Sequence, residues 1–359
     1  MRFNLPVLVY QEKNCVHNHA DEIAQMGKNA LIVTGRNSSK KNGSLDDVIN
    51  ALKSKNIKYT VYDGVEENPS VETVMEAREI GVKAGCDFII GIGGGSPMDV
   101  AKAIGVMIYH KNENKDFLYK SVSNSQSLPV IEVPTTCGTG SEVTTVAVLT
   151  VHNEKTKKSM SHRIFPRMAL VDEKYIKNAP LKVICDTAID ALAHIVESCI
   201  NNNATEYSKM FAKEGLEAWS KFKDVLLGNR EATDEDFHNM MYASTLAGMC
   251  IAHAGTSLPH GLSYPITYEL GIPHGKAVGY FLPGYINEAT DEDKEFVLKA
   301  AGFESVEEFS KFYKKACGYE KFPQELLDKT GELILSNQRK LANCPYKVDA
   351  EVIKNIISF

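Results

Sequence analysis

The sequence predicts an α/β protein: an N-terminal doubly wound parallel sheet followed by an all-helical C-terminal half. Three observations carry this. Short apolar runs alternate with helical patterns through the first half, the first and third of the strand-like runs end at glycines, and from about Pro180 the strand signals give way to helix signals. The 359 residues suggest about two domains at roughly 150 residues each. We place them at residues 1–178 and 179–359, with the boundary near Asn178 to Leu181, where Pro180 breaks the pattern.

The elements follow in order. Ala30 to Thr34 is an apolar run stopped by Gly35, the pattern of a strand buried on both faces. Leu45 to Lys55 has helical spacing. Lys58 to Tyr62 is a second strand, closed by Asp63-Gly64. Ser70 is a natural N-cap for a helix reaching Gly85. Asp87 to Ile92 forms a third strand leading into Gly93-Gly94-Gly95, Met98 to Tyr109 a helix, and Leu128 to Val133 a fourth strand. Val143 to Val151 is β-rich, and Lys158 to Val171 returns as a hairpin. Beyond Pro180, helices are expected at Ile184–Asn201, Tyr207–Leu227, Asp234–Ala252 and Glu304–Ala316.

Composition narrows the function classes. Hydrophobic residues make up 43% and charged residues 24%, which excludes a disordered or low-complexity chain. The charge is −6, from 40 Lys plus Arg against 46 Asp plus Glu; this argues against nucleic acid or an anionic membrane as the main partner. The eight cysteines form no CxxC pair and read as buried free thiols of a cytoplasmic protein. No signal peptide and no apolar run of about 20 residues is visible.

Two loops and one residue set carry candidate chemistry. Gly93 to Asp99 lies between a buried strand and a helix, where missing Cβ atoms let a phosphate approach and the helix N-terminus offers free N–H groups. Taken alone, the segment also fits a tight turn that binds nothing. Pro134 to Glu142 follows the fourth strand, at the carboxyl end where open α/β sheets bind ligands. Asp190 and His194, at i and i+4, share a helix face, and His260 and His274 follow. One carboxylate with three imidazoles fits a four-position divalent site of the Fe²⁺ or Zn²⁺ kind. Each histidine alone also fits a hydrogen-bonded structural imidazole, the reading given to His162 and His253.

Together these motifs resemble the iron-containing (group III) alcohol dehydrogenases, of the dehydroquinate synthase-like fold. The resemblance runs through Asn68-Pro69, Gly93 to Asp99, Pro134 to Glu142, Ala169 to Asp172, Asp190 to His194, His260 and Pro273-His274-Gly275, in the family's order over about residues 30 to 285. It implies a Rossmann-like dinucleotide domain, a helical metal-binding and substrate domain, a divalent metal, a nicotinamide cofactor, a small aldehyde or alcohol substrate and a homodimer. Asp190, His194, His260 and His274 match the family's metal ligands. Gly94, Gly95 and Ser96 match the diphosphate loop; Asp99, Thr135, Thr136 and Thr139 match positions around the cofactor; Lys158 matches a lysine that reaches its ribose. Ser96, where glycerol dehydrogenases usually carry a lysine, points to the alcohol dehydrogenase branch.

Two departures bear on specificity. NAD-preferring relatives often end the first strand with an aspartate, which repels a 2′-phosphate. Here Gly35 stands there, and Arg36, Ser38 and Lys40 offer donors to that phosphate, so NADP(H) is expected over NAD(H). A solvated basic loop is the other reading of this stretch. Many relatives also carry a proton-relaying histidine four residues after the third ligand. Tyr264 occupies that position, as a proton relay or as a packing aromatic. The expected reaction is metal-dependent interconversion of an aldehyde and a primary alcohol. The alternatives are a polyol or glycerol-type dehydrogenase, a reductase of a carboxylated or phosphonylated aldehyde, and a non-catalytic NADP-binding redox sensor with Cys137 as its thiol.

Overall fold

The computed structural model describes residues 3–359. Contacts divide the chain into two compact units. One holds Leu5–Thr136 and Gly140–Asn178; the other holds Cys137–Thr139 and Ala179–Phe359, with Phe3 and Asn4 joined to it.

The first unit is built on a six-stranded sheet in the order β1-β8-β5-β4-β2-β3, every pairing parallel. The strands are β1 (Leu8–Gln11), β2 (Asn29–Gly35), β3 (Lys58–Val65), β4 (Phe88–Gly93), β5 (Val130–Pro134) and β8 (Met168–Val171). A two-stranded antiparallel hairpin, β6 (Val148–Val151) with β7 (Thr156–Ser159), stands apart from it. Helices α1 (Ser44–Ser54), α2 (Val71–Ala84) and α3 (Gly95–Tyr109) are crossovers between strands. Both faces of the sheet are covered. Leu31 and Val33 enter one apolar cluster with α2 and α3, while Ala30 and Ile32 enter the other with α1. That alternation is the two-residue period of a strand buried on both sides.

The expected elements are present with shifted ends. Ser70 caps α2, its side chain accepting from Thr73 N, and Gly85 closes the helix in the left-handed region at φ 68°. Helix α3 begins at Gly95, three residues ahead of the expected Met98. The expected return hairpin from Lys158 to Val171 is corrected. Only Thr156–Ser159 folds back, on β6, and Met168–Val171 crosses into the large sheet between β5 and β1. All four residues of that strand are fully buried, as a central parallel strand requires. Strand β1 adds an edge strand beyond the elements expected from the sequence.

The second unit is helical. It contains α4 (Leu181–Cys199), α5 (Glu206–Ser220), α6 (Asp234–Ala254), α7 (Leu258–Leu270) and α8 (His274–Asn287), followed by further helices to Ser358. The expected helix from Tyr207 to Leu227 stops at Ser220, and a short turn of helix, Lys223–Leu226, follows it. From Ala188 to Cys199 every residue of α4 is buried, the signature of a helix at the centre of a bundle. Trp219, fully buried, donates from its indole N–H to the Ala188 carbonyl at 2.7 Å and so anchors α5 to α4. Among the described residues, no helix is long and apolar enough to cross a membrane.

Candidate metal centre and cofactor loops

In the helical unit, Asp190, His260 and His274 bring one ligand atom each to within 4.8 Å of one another. Asp190 comes from the middle of α4, His260 from the first turn of α7, and His274 opens α8. A close approach of two helices makes this convergence possible. A Cβ on Gly275 would lie 1.8 Å from the Asp186 carbonyl oxygen and 3.1 Å from Asp190 Cβ, so only glycine lets α8 start here. His194, one turn beyond Asp190, stacks on His260 with ring centroids 4.3 Å apart, and its Nδ1 lies 3.3 Å from the Gly138 carbonyl. Its ligand atom is outside the 4.8 Å group, although its ring packs directly against it.

The donor set suits a divalent cation. Asp190 Oδ1 and His260 Nε2 lie 3.5 Å apart, both buried and both without a hydrogen-bond partner. Two such buried atoms facing each other are costly unless a proton or a cation lies between them, and a divalent cation satisfies both. Burial pushes the Asp190 carboxyl up, but His194, His260 and His274 overcome it and hold the group well below the usual carboxylate range. For His194, burial dominates and lowers the imidazole to about 4 despite Asp190, which keeps it neutral and able to ligate. For His260, burial is outweighed by Glu197 and Asp190, which raise it to about 9.

Sequence reasoning missed Glu197. It is fully buried on α4, with Oε1 2.5 Å from His260 Nδ1. The signal was available: positions 190, 194 and 197 follow the i, i+4, i+7 spacing of one helix face. Lys340 was missed too. Its half-buried ammonium donates to Thr256 Oγ1 at 2.5 Å and lies 5.8 Å from the Tyr264 ring centroid. Burial lowers it to about 8. Tyr264 itself stacks on His274, centroids 5.8 Å apart.

In the α/β unit, the two predicted loops meet at the carboxyl ends of adjacent strands. Gly93 pairs with Pro134, and Thr135 N donates to the Gly93 carbonyl at 2.8 Å. Gly93 adopts φ 148°, and a Cβ on Gly94 would stand 3.2 Å from Thr136. Gly94 is the N-cap of α3, whose first turn is capped by no side chain. Ser96 Oγ accepts from Asn68 N at 3.3 Å. Asp99 is committed inward, accepting from Ser141 Oγ at 2.6 Å and Val148 N at 2.8 Å, with buried Lys102 at 3.5 Å. It braces the second loop. Thr139 lies within the segment grouped with the helical unit.

At the end of β2, Arg36, Ser38 and Lys40 are exposed around Gly35. A Cβ on Gly35 would meet only the Val65 carbonyl, at an ordinary 3.5 Å. Lys40 pairs with Asp63 at 2.5 Å. On β7, Lys158 faces Glu154 at 3.2 Å, whereas neighbouring Lys157 bonds Asn68 Oδ1 at 2.6 Å, next to the glycine turn. His162 is buried, its Nε2 2.8 Å from the Phe117 carbonyl, and His253 stacks on Phe3.

A parallel-sheet unit with a glycine turn at its strand ends, in one chain with a buried carboxylate–imidazole cluster, is the combination expected of a metal-dependent dehydrogenase. Comparison with known proteins makes this specific. The family model "Iron-containing alcohol dehydrogenase" matches residues 6–173, and "Fe-containing alcohol dehydrogenase family, C-terminal" matches residues 184–334. The chain is 30% identical over 348 residues to an NADPH-dependent butanol dehydrogenase from Clostridium saccharobutylicum, covering 95% of this chain and 84% of that protein. It is 31% identical to a lactaldehyde reductase from Escherichia coli, over 73% of this chain and 69% of the relative. An iron-containing alcohol dehydrogenase from Thermotoga maritima superposes with TM-score 0.91 at 38% identity, over 99% of this chain and 98% of the other. The protein belongs to the iron-containing alcohol dehydrogenase family.

Proposed function

We propose that the protein interconverts an aldehyde and a primary alcohol with NADP(H) in preference to NAD(H), using one divalent metal, Fe²⁺ first and Zn²⁺ second. The convergence of Asp190, His260 and His274 within 4.8 Å carries the reading. When bound, the metal supplies Lewis acidity toward the substrate oxygen and the nicotinamide exchanges hydride with the carbon. Asp190, His194, His260 and His274 are the residues that hold the metal. Asp190 supplies the negative charge and the imidazoles supply neutral donors. Gly94, Gly95 and Ser96 receive the diphosphate at the α3 N-terminus, where N–H groups and the helix dipole favour an anion. Thr135, Thr136 and Thr139 line the loop beside it, and Asp99 braces that loop. Lys157, bonded to the Asn68 that contacts the glycine turn, shares the ribose-side role with Lys158. Tyr264 holds a proton at its phenol beside His274.

The cofactor preference rests on three features: Gly35 leaves space, Arg36 and Ser38 are exposed beside it, and a relative matched over most of the chain is named NADPH-dependent. The Lys40–Asp63 pair moderates it, since Asp63 competes for the ammonium. Relatives named for butanol, 1,3-propanediol and lactaldehyde support short aldehydes and alcohols as the substrates of this reading. Cys137 argues against the redox-sensor alternative: burial pushes its thiol up to about 11. The eight cysteines are all free and buried, the usage of a reducing compartment, so a cytoplasmic location belongs to the proposal. So does the homodimer that the family resemblance implies.

The test is turnover of a panel of short aldehydes with both cofactors, before and after chelation. Activity should vanish on chelation, return with Fe²⁺ or Zn²⁺, and favour NADPH. Full activity in metal-free protein, or equal turnover with NADH, would refute the corresponding half.

A further inference from the structure

Helix α4 presents a third ionisable group on the face that carries Asp190 and His194. Glu197 has no exposed surface. Its carboxylate accepts three hydrogen bonds: from His260 Nδ1 at 2.5 Å, from His260 N at 3.1 Å and from Ser257 N at 2.5 Å. The two backbone donors belong to the N-terminus of α7, whose N-cap residue Ser257 makes no side-chain cap of its own. Glu197 therefore serves as the cap of α7, supplied from another helix, at the end where a carboxylate is electrostatically favoured.

The same carboxylate decides which way the His260 imidazole faces. An ionised carboxylate only accepts, so Nδ1 must carry the proton it donates. The other nitrogen, Nε2, lies 3.5 Å from Asp190 Oδ1, so it is the one left to give up its proton and offer a lone pair when a cation enters between them. Carboxylate–imidazole pairs of this kind fix the tautomer and ring orientation of metal-binding histidines. Here the arrangement is economical in chain terms. One residue, one turn past His194, both seats the helix that carries His260 and sets the nitrogen His260 offers.

We propose that Glu197 is a positioning residue of the metal centre, holding His260 in the tautomer and orientation that present Nε2 to the ion. The inference rests on the metal-dependent reading above and concerns a residue which that reading does not use. The experiment measures Zn²⁺ and Fe²⁺ affinity of the full chain by chelator competition, for wild type, Glu197→Gln and Glu197→Asp. Circular dichroism and the Tm of each metal-free protein accompany it, with ¹⁵N-imidazole spectra of the zinc-loaded forms. Glu197→Gln should bind either metal about 10–100-fold more weakly, and the spectrum should lose the His260 Nδ1–H signal. Glu197→Asp keeps the charge and should fall between. It also serves as the variant to read if Glu197→Gln does not fold. Wild-type affinity in a folded variant would overturn the proposal, as would a lower Tm with unchanged metal affinity, because a purely structural cap predicts that pattern. Failure of the wild type to bind either metal would instead overturn the metal-dependent reading, and this proposal with it.

Discussion

At position 35 the fold leaves room for a side chain that the sequence does not use. The hypothetical Cβ meets only one carbonyl, at 3.5 Å, so Gly35→Asp should fold normally. Placing a carboxylate there should lower kcat/KM with NADPH relative to NADH by about tenfold, or about 1.4 kcal/mol. Steady-state kinetics with both cofactors check it, and an unchanged ratio would place the 2′-phosphate elsewhere. Asp63 acts in the opposite sense. Asp63→Asn should free Lys40 from its partner and raise the NADPH preference a few-fold, of the order of one surface ion pair. Cys137 gives a third residue-level expectation. With its thiol raised from 9.0 to about 11, chiefly by burial, its alkylation at neutral pH should be on the order of a hundredfold slower than that of a free thiol. Mass spectrometry after timed iodoacetamide exposure reads this directly.

Among the elements, α6 shows how local chemistry sets an end. Thr233 accepts from Asp236 N, and Asp236 accepts from Thr233 N at 2.8 Å, a closed capping box. Arg230 lies against the same carboxylate at 2.6 Å. Bonding to Arg230 outweighs burial and holds the Asp236 carboxyl below its ordinary value. A depressed folded-state pKa contributes stability above the unfolded value, and that contribution is lost as pH falls through the folded value. Asp236→Asn should therefore cost about 1 kcal/mol near pH 7, with the difference from wild type shrinking below about pH 4. Urea denaturation of both proteins across that range measures it. Signals of this local kind made most elements legible in advance: the Ser70 cap, the Gly85 stop, and the apolar runs of β2, β4 and β5. Strand β1 escaped because it is short, lies at the sheet edge, and pairs only with β8, about 160 residues away. The return strand departs from the expected hairpin for a related reason. An apolar run such as Met168–Val171 does not state its partner, and pairing with β5 or with β7 reads alike from sequence. In the site, the i, i+4 spacing exposed Asp190 and His194. The Lys40–Asp63 and Lys157–Asn68 pairs depend on neighbouring strands and loops, which no local pattern encodes.

For the molecule as a whole, the proposed metal ligands and the proposed diphosphate turn belong to different units, and this has a thermodynamic consequence. Every proposed metal ligand lies on α4, α7 or α8, whereas the glycine turn lies between β4 and α3. A ligand that binds only the native state stabilises it by about 2.7 kcal/mol at a hundred times its dissociation constant. That stabilisation reaches only the segments whose opening destroys the binding site. Metal should therefore slow amide hydrogen exchange in Leu181–Cys199, Leu258–Leu270 and His274–Asn287. NADPH should slow it in Phe88–Gly93 and the first turns of Gly95–Tyr109. Exchange measured by mass spectrometry, with each ligand alone and with both, resolves these segments. If each ligand protects its own unit, the units open independently and two thermal transitions should separate on metal removal. If either ligand protects both sets equally, the units unfold as one cooperative body, and metal loss should lower a single Tm.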